Sequence, residues 1–236
     1  MIKNNKMTFL EHVDELRNRV LISIFFVFIF SLISYYYSSK IIDFLIKPVE
    51  DNNINFQVLK ITSVFFVKMG ISIASGILFS FPFIMFQFFR FILPAFQKIS
   101  ILKICLMTIV SYILFLVGLT FGYKIIIPFS ISFFSQLSLN LDFISLNYTL
   151  ENYLSYISWI LIVCSLIFQL PFILTIIVKF GLLSLDNLKK SRRHIIVFFF
   201  IFGALLTPPD PLSQISIVIP MCLLFEFSIL LIRIIK

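Results

Sequence analysis

Long apolar runs limit what this chain can fold into more than any other feature of its sequence. Runs of about 18 or more apolar residues are long enough to cross a lipid bilayer as a helix. The mean hydropathy of +1.08 over 236 residues lies well outside the range of soluble globular domains, in which roughly half of the residues are apolar. The sequence therefore predicts an all-α, polytopic membrane protein.

The apolar runs divide the chain into six predicted spans within one transmembrane domain, residues 1–236. The fifth run, His194 to Thr207, would rise only about 21 Å as a helix, less than the roughly 30 Å of the hydrocarbon core. Three prolines follow it and predict a tight hairpin into the sixth run. We therefore expect short fifth and sixth spans. The predicted spans are about 20–37, 67–89, 104–123, 153–178, 194–207 and 213–232.

The basic residues between the runs are distributed unevenly. Most of the 19 lysines and arginines lie in the two tails and in the loops that follow the second and fourth spans. Loops on the cytoplasmic side of a membrane carry an excess of Lys and Arg. The N- and C-termini are therefore predicted to face the cytoplasmic, or stromal, side.

Two long loops on the opposite side retain many apolar residues. Residues 38–66 include KIIDFLIKPVED, a short amphipathic stretch that we expect to end at Pro48. Residues 124–152 keep large apolar side chains between Ser and Asn. Both loops are expected to lie at the interface and to pack over the spans.

A charged amphipathic helix is predicted directly before the first span, at about residues 8–19. Thr8 and Glu11 have the spacing of a capping box. Glu15 precedes Arg19 by four residues, the favourable order for a helical ion pair. Acidic side chains contribute little to orientation and are repelled by an anionic leaflet. A merely solvated face and a surface for a basic partner therefore both remain open.

Polar side chains at membrane depth are few, and each is a candidate for function because burying such groups is costly. Glu226 is the only acid clearly within an apolar run, and Asp210 lies at the predicted hairpin tip. Lys68 lies near the start of the second span, and Gln87, Gln169, Thr207 and Gln214 complete the set. Hydrogen bonds between helices of the bundle are the alternative for Gln169 and Gln214, and a structural pair or a protonated buried acid is the alternative for Glu226.

The sequence offers little for catalysis, redox chemistry or nucleic-acid binding. Its two histidines, His12 and His194, lie at span ends, and its three cysteines are isolated within apolar runs. These positions do not fit haem ligands, a zinc site or an intramembrane protease. We therefore predict no enzyme activity, no metal and no cofactor. No basic patch interleaved with aromatic residues is present in a soluble segment, so no nucleic-acid partner is expected.

Five motifs, distributed from about His12 to Arg233, together resemble the TatC family, the multispanning core subunit of the twin-arginine (Sec-independent) protein translocase. In order, they are HVDELRNR, SFPFIMFQFFRFILPAF, GLTFGYKIIIPF, FQLPF, and LLTPPDPLSQ with IPMCLLFEF. The resemblance implies a curved, cupped bundle of six helices. It also implies binding of twin-arginine signal peptides of folded cargo, export driven by the proton-motive force, and assembly with single-span partners of the TatA and TatB type in a larger receptor complex that includes further copies of this chain.

The same resemblance assigns roles to the residues of the opening helix. Glu15 matches the acid of the family's H-x-x-E-L-R motif and would accept hydrogen bonds from the arginine guanidiniums of the signal peptide. His12, Arg17 and Arg19 would belong to the same site, with Arg19 pairing with Glu15 when the site is empty.

Two departures from the family pattern affect the predicted sites. Ser100 stands where many members carry a second acid, for which Glu11 or Asp14 would substitute. Gln169 replaces a glutamate that is frequent in bacterial members, so its role would be hydrogen bonding rather than proton transfer. The resemblance places the polar residues of the last spans on the face that receives a partner's transmembrane helix. The residues assigned to this polar set are Gln169, Thr207, Asp210, Gln214 and Glu226.

The composition also bears on the membrane in which the chain resides. The excess of Phe, Ile, Lys and Asn is typical of an AT-rich organellar genome, and no transit peptide precedes the first motif. A plastid thylakoid membrane is therefore favoured over a mitochondrial inner membrane or a bacterial plasma membrane. Two other functions remain open from the sequence: a small secondary transporter or channel, and a non-catalytic assembly subunit of a membrane complex.

Overall fold

The computed structural model describes residues 9–50, 56–96, 100–139, 148–206 and 211–235. These residues are almost entirely helical, and two short strands pair in parallel, Phe56–Gln57 with Tyr148–Thr149. The helices are α1 (Phe9–Tyr36), α2 (Ser38–Glu50), α3 (Ser63–Phe96), α4 (Ile101–Phe121), α5 (Ile127–Leu139), α6 (Leu150–Ile167), α7 (Leu170–Lys179), α8 (Leu185–Lys190), α9 (Arg192–Leu206) and α10 (Pro211–Ile235).

Six spanning segments form the predicted all-α membrane bundle. Five are long and apolar enough to cross a bilayer, and the shortest of these, at the end of the chain, has 20 residues. The remaining segment is α9, whose 15 residues rise only about 22 Å. The expectation of a short fifth span is therefore confirmed. The five longer segments are His12–Tyr36, Ser63–Ile92, Ile101–Phe133, Leu150–Lys179 and Gln214–Arg233.

The charged opening segment and the first span form one continuous helix, α1. The sequence between Phe9 and Tyr36 contains neither Gly nor Pro, so nothing interrupts the backbone hydrogen bonds. The charged residues therefore project from a rigid extension of the first span, in a direction that the membrane helix itself fixes.

Helices α1 and α3 pack closely along most of their length. Gly76 lies so close to Ser31 that a Cβ atom at Gly76 would meet the Ser31 Oγ at 2.0 Å. Further along, Phe26 stacks on Phe83 with ring centroids 4.4 Å apart. Small residues that let two backbones approach are typical of helix pairs in membranes. This contact sets the register of α1 on α3.

The third predicted span does not end at residue 123. Helix α4 continues through a π-helical turn, Gly122–Ile126, into α5. The loop expected at 124–152 thus begins with the end of this turn, followed by the 13 residues of α5. Pro128 directly follows this π-helical turn, where the backbone hydrogen bonds already depart from the α-helical pattern.

Helix α2 runs through Pro48 to Glu50, so the expectation that it ends at the proline is wrong. A proline leaves the carbonyl four residues earlier without its usual N–H partner. Here the Tyr123 hydroxyl donates to that carbonyl, on Phe44, at 2.7 Å. The two rings also stack, with centroids 4.5 Å apart. A partner from α4–α5 therefore compensates for the missing hydrogen bond.

Helices α6 and α7 form the centre of the bundle and are separated by a turn at Phe168 and Gln169. Pro171 lies in the first turn of α7, where a proline is well tolerated. Gln169 is only 3% exposed. Its side-chain amide donates to the Ser111 carbonyl at 3.0 Å and accepts from the Ser111 hydroxyl at 2.7 Å, which fixes α4 against the turn.

Candidate functional site

Glu15 and Arg19 form an ion pair on α1 that is also connected to α3. Arg19 Nε donates to Glu15 Oε1 at 2.9 Å, and Arg19 Nη2 contacts the same oxygen. Arg19 Nη1 donates to the Gln87 Oε1 of α3 at 3.1 Å. The Glu15 and Arg19 side chains are 26% and 16% exposed. The ion pair predicted from the spacing is thus present and remains accessible from outside.

The carboxylate of Glu15 is not saturated by this pair. Both contacts from Arg19 reach Oε1. Within the described part of the chain, no donor lies within hydrogen-bond distance of Oε2. A carboxylate accepts several hydrogen bonds, and a guanidinium donates up to five. Glu15 can therefore receive a second guanidinium while Arg19 stays in place.

The other predicted residues of the opening helix take different positions. The ring of His12 stacks on Phe91 of α3, with centroids 4.4 Å apart and an interplanar angle of 16°. Arg17 is exposed, and Glu11 belongs to α1 but its side chain lies outside the described residues. Ser100, where the family often has an acid, is an exposed residue that precedes α4. The structure thus brings His12 and Arg19 into contact with α3, pairs Glu15 with Arg19 and leaves Arg17 exposed.

An apolar cavity of about 760 Å³ opens next to His12, at the end of the bundle where α1 begins. Along α3 it extends from Ile92 to Phe81, a rise of about 16 Å, which is close to half of the roughly 30 Å hydrocarbon core. At its inner end Phe81 stacks on Phe115, with centroids 3.8 Å apart. The cavity can therefore take up an apolar segment to the depth of one leaflet. The other side chains around it are Ile84, Met85, Phe88, Phe89, Phe91, Leu166, Gln169, Ile173, Ile176, Ile177, Phe180 and Leu182.

The polar residues of the last two helices are used in contacts between α9 and α10. Gln214 Nε2 donates to the Phe200 carbonyl at 2.8 Å. Arg192 Nη2 donates to Glu226 Oε2 at 2.9 Å, and both side chains are almost half exposed. Thr207, also predicted for this set, lies outside the described residues.

Glu226 is level with the first residue of α9 rather than deep in the bundle. Because α9 is short, its basic start reaches only as far along α10 as Glu226. Asp210 falls outside the described part of the chain. The structural pair considered for Glu226 from the sequence is therefore present.

Sequence reasoning missed two features of the site. The sequence marks Gln87 as a polar residue at membrane depth, but it does not reveal the hydrogen bond from Arg19, which lies 68 residues away. The cavity was missed because its walls come from helices that are distant in sequence. In the described residues, no group of three His, Cys, Asp or Glu side chains is placed to hold a metal ion.

Six spanning segments, with a charged pair on the first helix and an apolar cavity that the same helix helps to line, define a multi-pass membrane protein. Comparisons with known proteins specify the family. The family model for the Sec-independent protein translocase protein (TatC) matches residues 11–220. The chain belongs to the TatC family, and it is a core subunit of the Sec-independent, twin-arginine protein translocase.

Individual relatives are similar in sequence to this protein over nearly the whole length of its chain. The Sec-independent protein translocase protein TatC of Desulforapulum autotrophicum is 32% identical over 233 residues, which cover 97% of this chain and 85% of that protein. The protein of the same name from Aquifex aeolicus is 30% identical, with 95% and 94% covered. A crystal structure of the twin arginine translocase receptor TatC matches with a TM-score of 0.86 at 30% identity, covering 94% of this chain and 99% of that one.

Proposed function

We propose that this chain is the receptor of the translocase for signal peptides with two consecutive arginines, and that Glu15 accepts one of these arginines. The observation that carries the proposal is the half-buried Glu15 carboxylate, which lies one helical turn along α1 from His12, a residue that lines the outer end of the apolar cavity. Signal peptides combine a positively charged start with an apolar region of about 7–15 residues. Their charge and apolar parts therefore follow each other in the same order as the carboxylate and the cavity.

In this proposal, Arg19 pairs with Glu15 in the empty site, as an arginine of the signal peptide does when the peptide binds. Arg19 donates hydrogen bonds to Glu15 Oε1 and to the side-chain oxygen of Gln87 on α3. Ion pairs between residues four positions apart on a helix contribute only about 0.2–0.5 kcal/mol. Exchanging or sharing the carboxylate with a peptide guanidinium therefore costs little. Asp14, exposed one position earlier on α1, and Glu11 are the nearest acids in sequence for the second arginine.

A photo-cross-linking experiment tests the peptide's position. A photo-reactive amino acid placed at Ile173, which lines the cavity, is expected to cross-link the apolar region of a twin-arginine peptide. The same amino acid at Ile113, an exposed position of α4 away from the cavity, is the matched control. Cross-linking at Ile173 should exceed that at Ile113 several-fold and should fall when two lysines replace the arginines. Equal yields at both positions, or with both peptides, would contradict the proposal.

We further propose that the α9–α10 pair receives the transmembrane helix of a TatA- or TatB-type subunit. Gln214 supports this proposal because its amide nitrogen is used internally, whereas its carbonyl oxygen accepts nothing from the residues described. Polar contacts between helices in lipid are worth about 0.6–2 kcal/mol, which suits a partner that must exchange. Thr207, Asp210 and Glu226 remain proposed members of this face, and Gln169 does not lie on it.

Gln214→Leu is expected to reduce co-purification of the single-span partner by about threefold or more, because a contact of roughly 0.6–2 kcal/mol is lost. The neighbouring Ile215→Leu, at an exposed position, is the control. Thermal unfolding of both isolated variants separates partner loss from loosening of α9 against α10. Recovery of the partner with Gln214→Leu at the level of the unmodified protein would argue against this face.

The remaining proposals concern the energy source for transport and the membrane in which the protein resides. As a transport subunit, the chain is proposed to have no catalytic activity of its own and to work with the proton-motive force in a complex that contains further copies of itself. A thylakoid membrane is proposed from the composition, with both termini in the stroma. The relatives named above are bacterial, so a bacterial plasma membrane or a mitochondrial inner membrane is the alternative.

A further inference from the structure

A second apolar groove, of about 510 Å³, lies in the half of the bundle opposite the termini. Helices α2, α3, α4 and α6 form its walls. The stacked pair of Phe81 and Phe115 lies between this groove and the cavity described above, since Phe81 lines one and Phe115 the other. The two spaces thus belong to opposite leaflets. The other side chains along the groove are Lys40, Ile41, Phe44, Leu45, Ala74, Ser75, Leu78, Phe79, Tyr112, Leu116, Leu119, Thr120, Tyr123, Ser158 and Leu161.

The length of the groove matches one acyl chain. Along α4 it runs from Tyr112 to Tyr123, a rise of about 16 Å, and half of the hydrocarbon core is about 15 Å. At its outer end the groove reaches α2, where Phe44 stacks on Tyr123. A spanning helix bound here would have to continue past α2 into the water. A lipid chain ends within the leaflet and meets no such obstacle.

The charge at the outer end of the groove is positive. Lys40 lines the mouth, and its ammonium lies 5.6 Å from the centre of the Tyr37 ring. Among the residues described, no carboxylate lies within ion-pair distance of this ammonium. Asp43, the nearest acid along α2, is exposed and does not line the groove. A lysine close to the membrane surface attracts anionic lipid headgroups by about 1 kcal/mol.

We propose that this groove binds an anionic glycerolipid of the leaflet opposite the termini, with one acyl chain between α3 and α4 and the headgroup against Lys40. An acyl chain gains little by leaving one apolar environment for another. Selection among lipids therefore depends on the headgroup. A bound lipid would fill the space between the inner helices and α2, and it would stabilise the fold without taking part in peptide binding.

Native mass spectrometry of the purified full chain tests the proposal with two lipids that share the same acyl chains, phosphatidylglycerol and phosphatidylcholine. Phosphatidylglycerol is expected to remain bound at higher collision energy. Lys40→Gln should weaken its retention about fivefold, the effect of one lysine beside an anionic headgroup. Lys47→Gln, an exposed lysine of the same helix outside the groove, should leave retention unchanged.

A second variant tests the acyl-chain site independently of the headgroup. Ala74→Phe places a ring in the groove and should reduce retention of both lipids, while thermal unfolding checks that the variant is folded. Equal retention of the two lipids by the unmodified protein would overturn the proposal. Identical retention by Lys40→Gln and Lys47→Gln would overturn it as well, and so would unchanged lipid binding by a folded Ala74→Phe protein.

Discussion

Glu15→Lys is expected to abolish binding of twin-arginine peptides while the protein still inserts and folds. The substitution removes the carboxylate and places an ammonium beside Arg19, where it repels the incoming guanidiniums. Once the bound peptide covers Glu15, the new charge pair is buried, and truncating one partner of a buried, hydrogen-bonded charge pair costs about 2–5 kcal/mol, which corresponds to roughly 30-fold or more in affinity. Peptide binding to the purified protein and export of a folded reporter both measure the effect.

Two matched variants distinguish the effect of the position of residue 15 from the effect of its change in charge. Asp14→Lys makes the same change of charge at the neighbouring, exposed residue of α1 and should weaken binding only modestly. Glu15→Gln keeps the shape and one acceptor oxygen, so it should fall between the unmodified protein and Glu15→Lys. Normal export by Glu15→Lys, or an equal loss in Asp14→Lys, would remove Glu15 from the proposed mechanism.

The parts of the fold that could be predicted from sequence are those determined by local patterns. The apolar runs predict the membrane-spanning helices because each run alone meets the length that a bilayer requires. The course of α2 could not be predicted, because Pro48 is compensated by the hydroxyl of Tyr123, and Tyr123 lies 79 residues away from the carbonyl that it contacts. The continuation of α4 into α5 could not be predicted either, because the apolar loop sequence fits an interfacial segment as well as a continued helix.

The candidate site likewise has one part that local sequence predicts and another part that depends on tertiary packing. The Glu15–Arg19 pair follows from a spacing of four residues on one helix, whereas its anchor Gln87 and the cavity depend on how α1, α3 and α7 pack. Glu226 shows how a pattern misleads. Its apolar neighbours in sequence suggest deep burial, but the short α9 brings Arg192 to the same level and leaves the pair half exposed.

The packing of α1 on α3 connects the stability of the bundle to the geometry of the site. From Ser31 against Gly76, the contact passes through Phe26 and Phe83 to the Arg19–Gln87 hydrogen bond and ends at the His12–Phe91 stack. These contacts follow one another along the same pair of helices. A displacement of α1 at one contact therefore shifts the other contacts as well. Close packing at Gly76 is thus a condition for the position of Glu15.

Gly76→Ala is therefore expected to lower both the stability of the protein and its affinity for signal peptides. The added Cβ would lie 2.0 Å from the Ser31 Oγ and 2.8 Å from the Ser31 Cα and nitrogen. The hydroxyl can rotate away, but the backbone atoms cannot, so the two helices must separate. Overpacking of this kind costs about 1–3 kcal/mol, or about 2–4 °C in melting temperature per kcal/mol for a chain of this size.

Gly70→Ala on the same helix is the matched control for this prediction. A Cβ atom at Gly70 would meet nothing within 4 Å, and alanine is a better helix former than glycine by about 1 kcal/mol. Thermal unfolding of the purified variants should therefore show a lower melting temperature for Gly76→Ala and an unchanged or higher one for Gly70→Ala. If both variants melted together and bound peptide equally, the close contact with Ser31 would not be what positions α1, and the Glu15 site would have to be held by Gln87 alone.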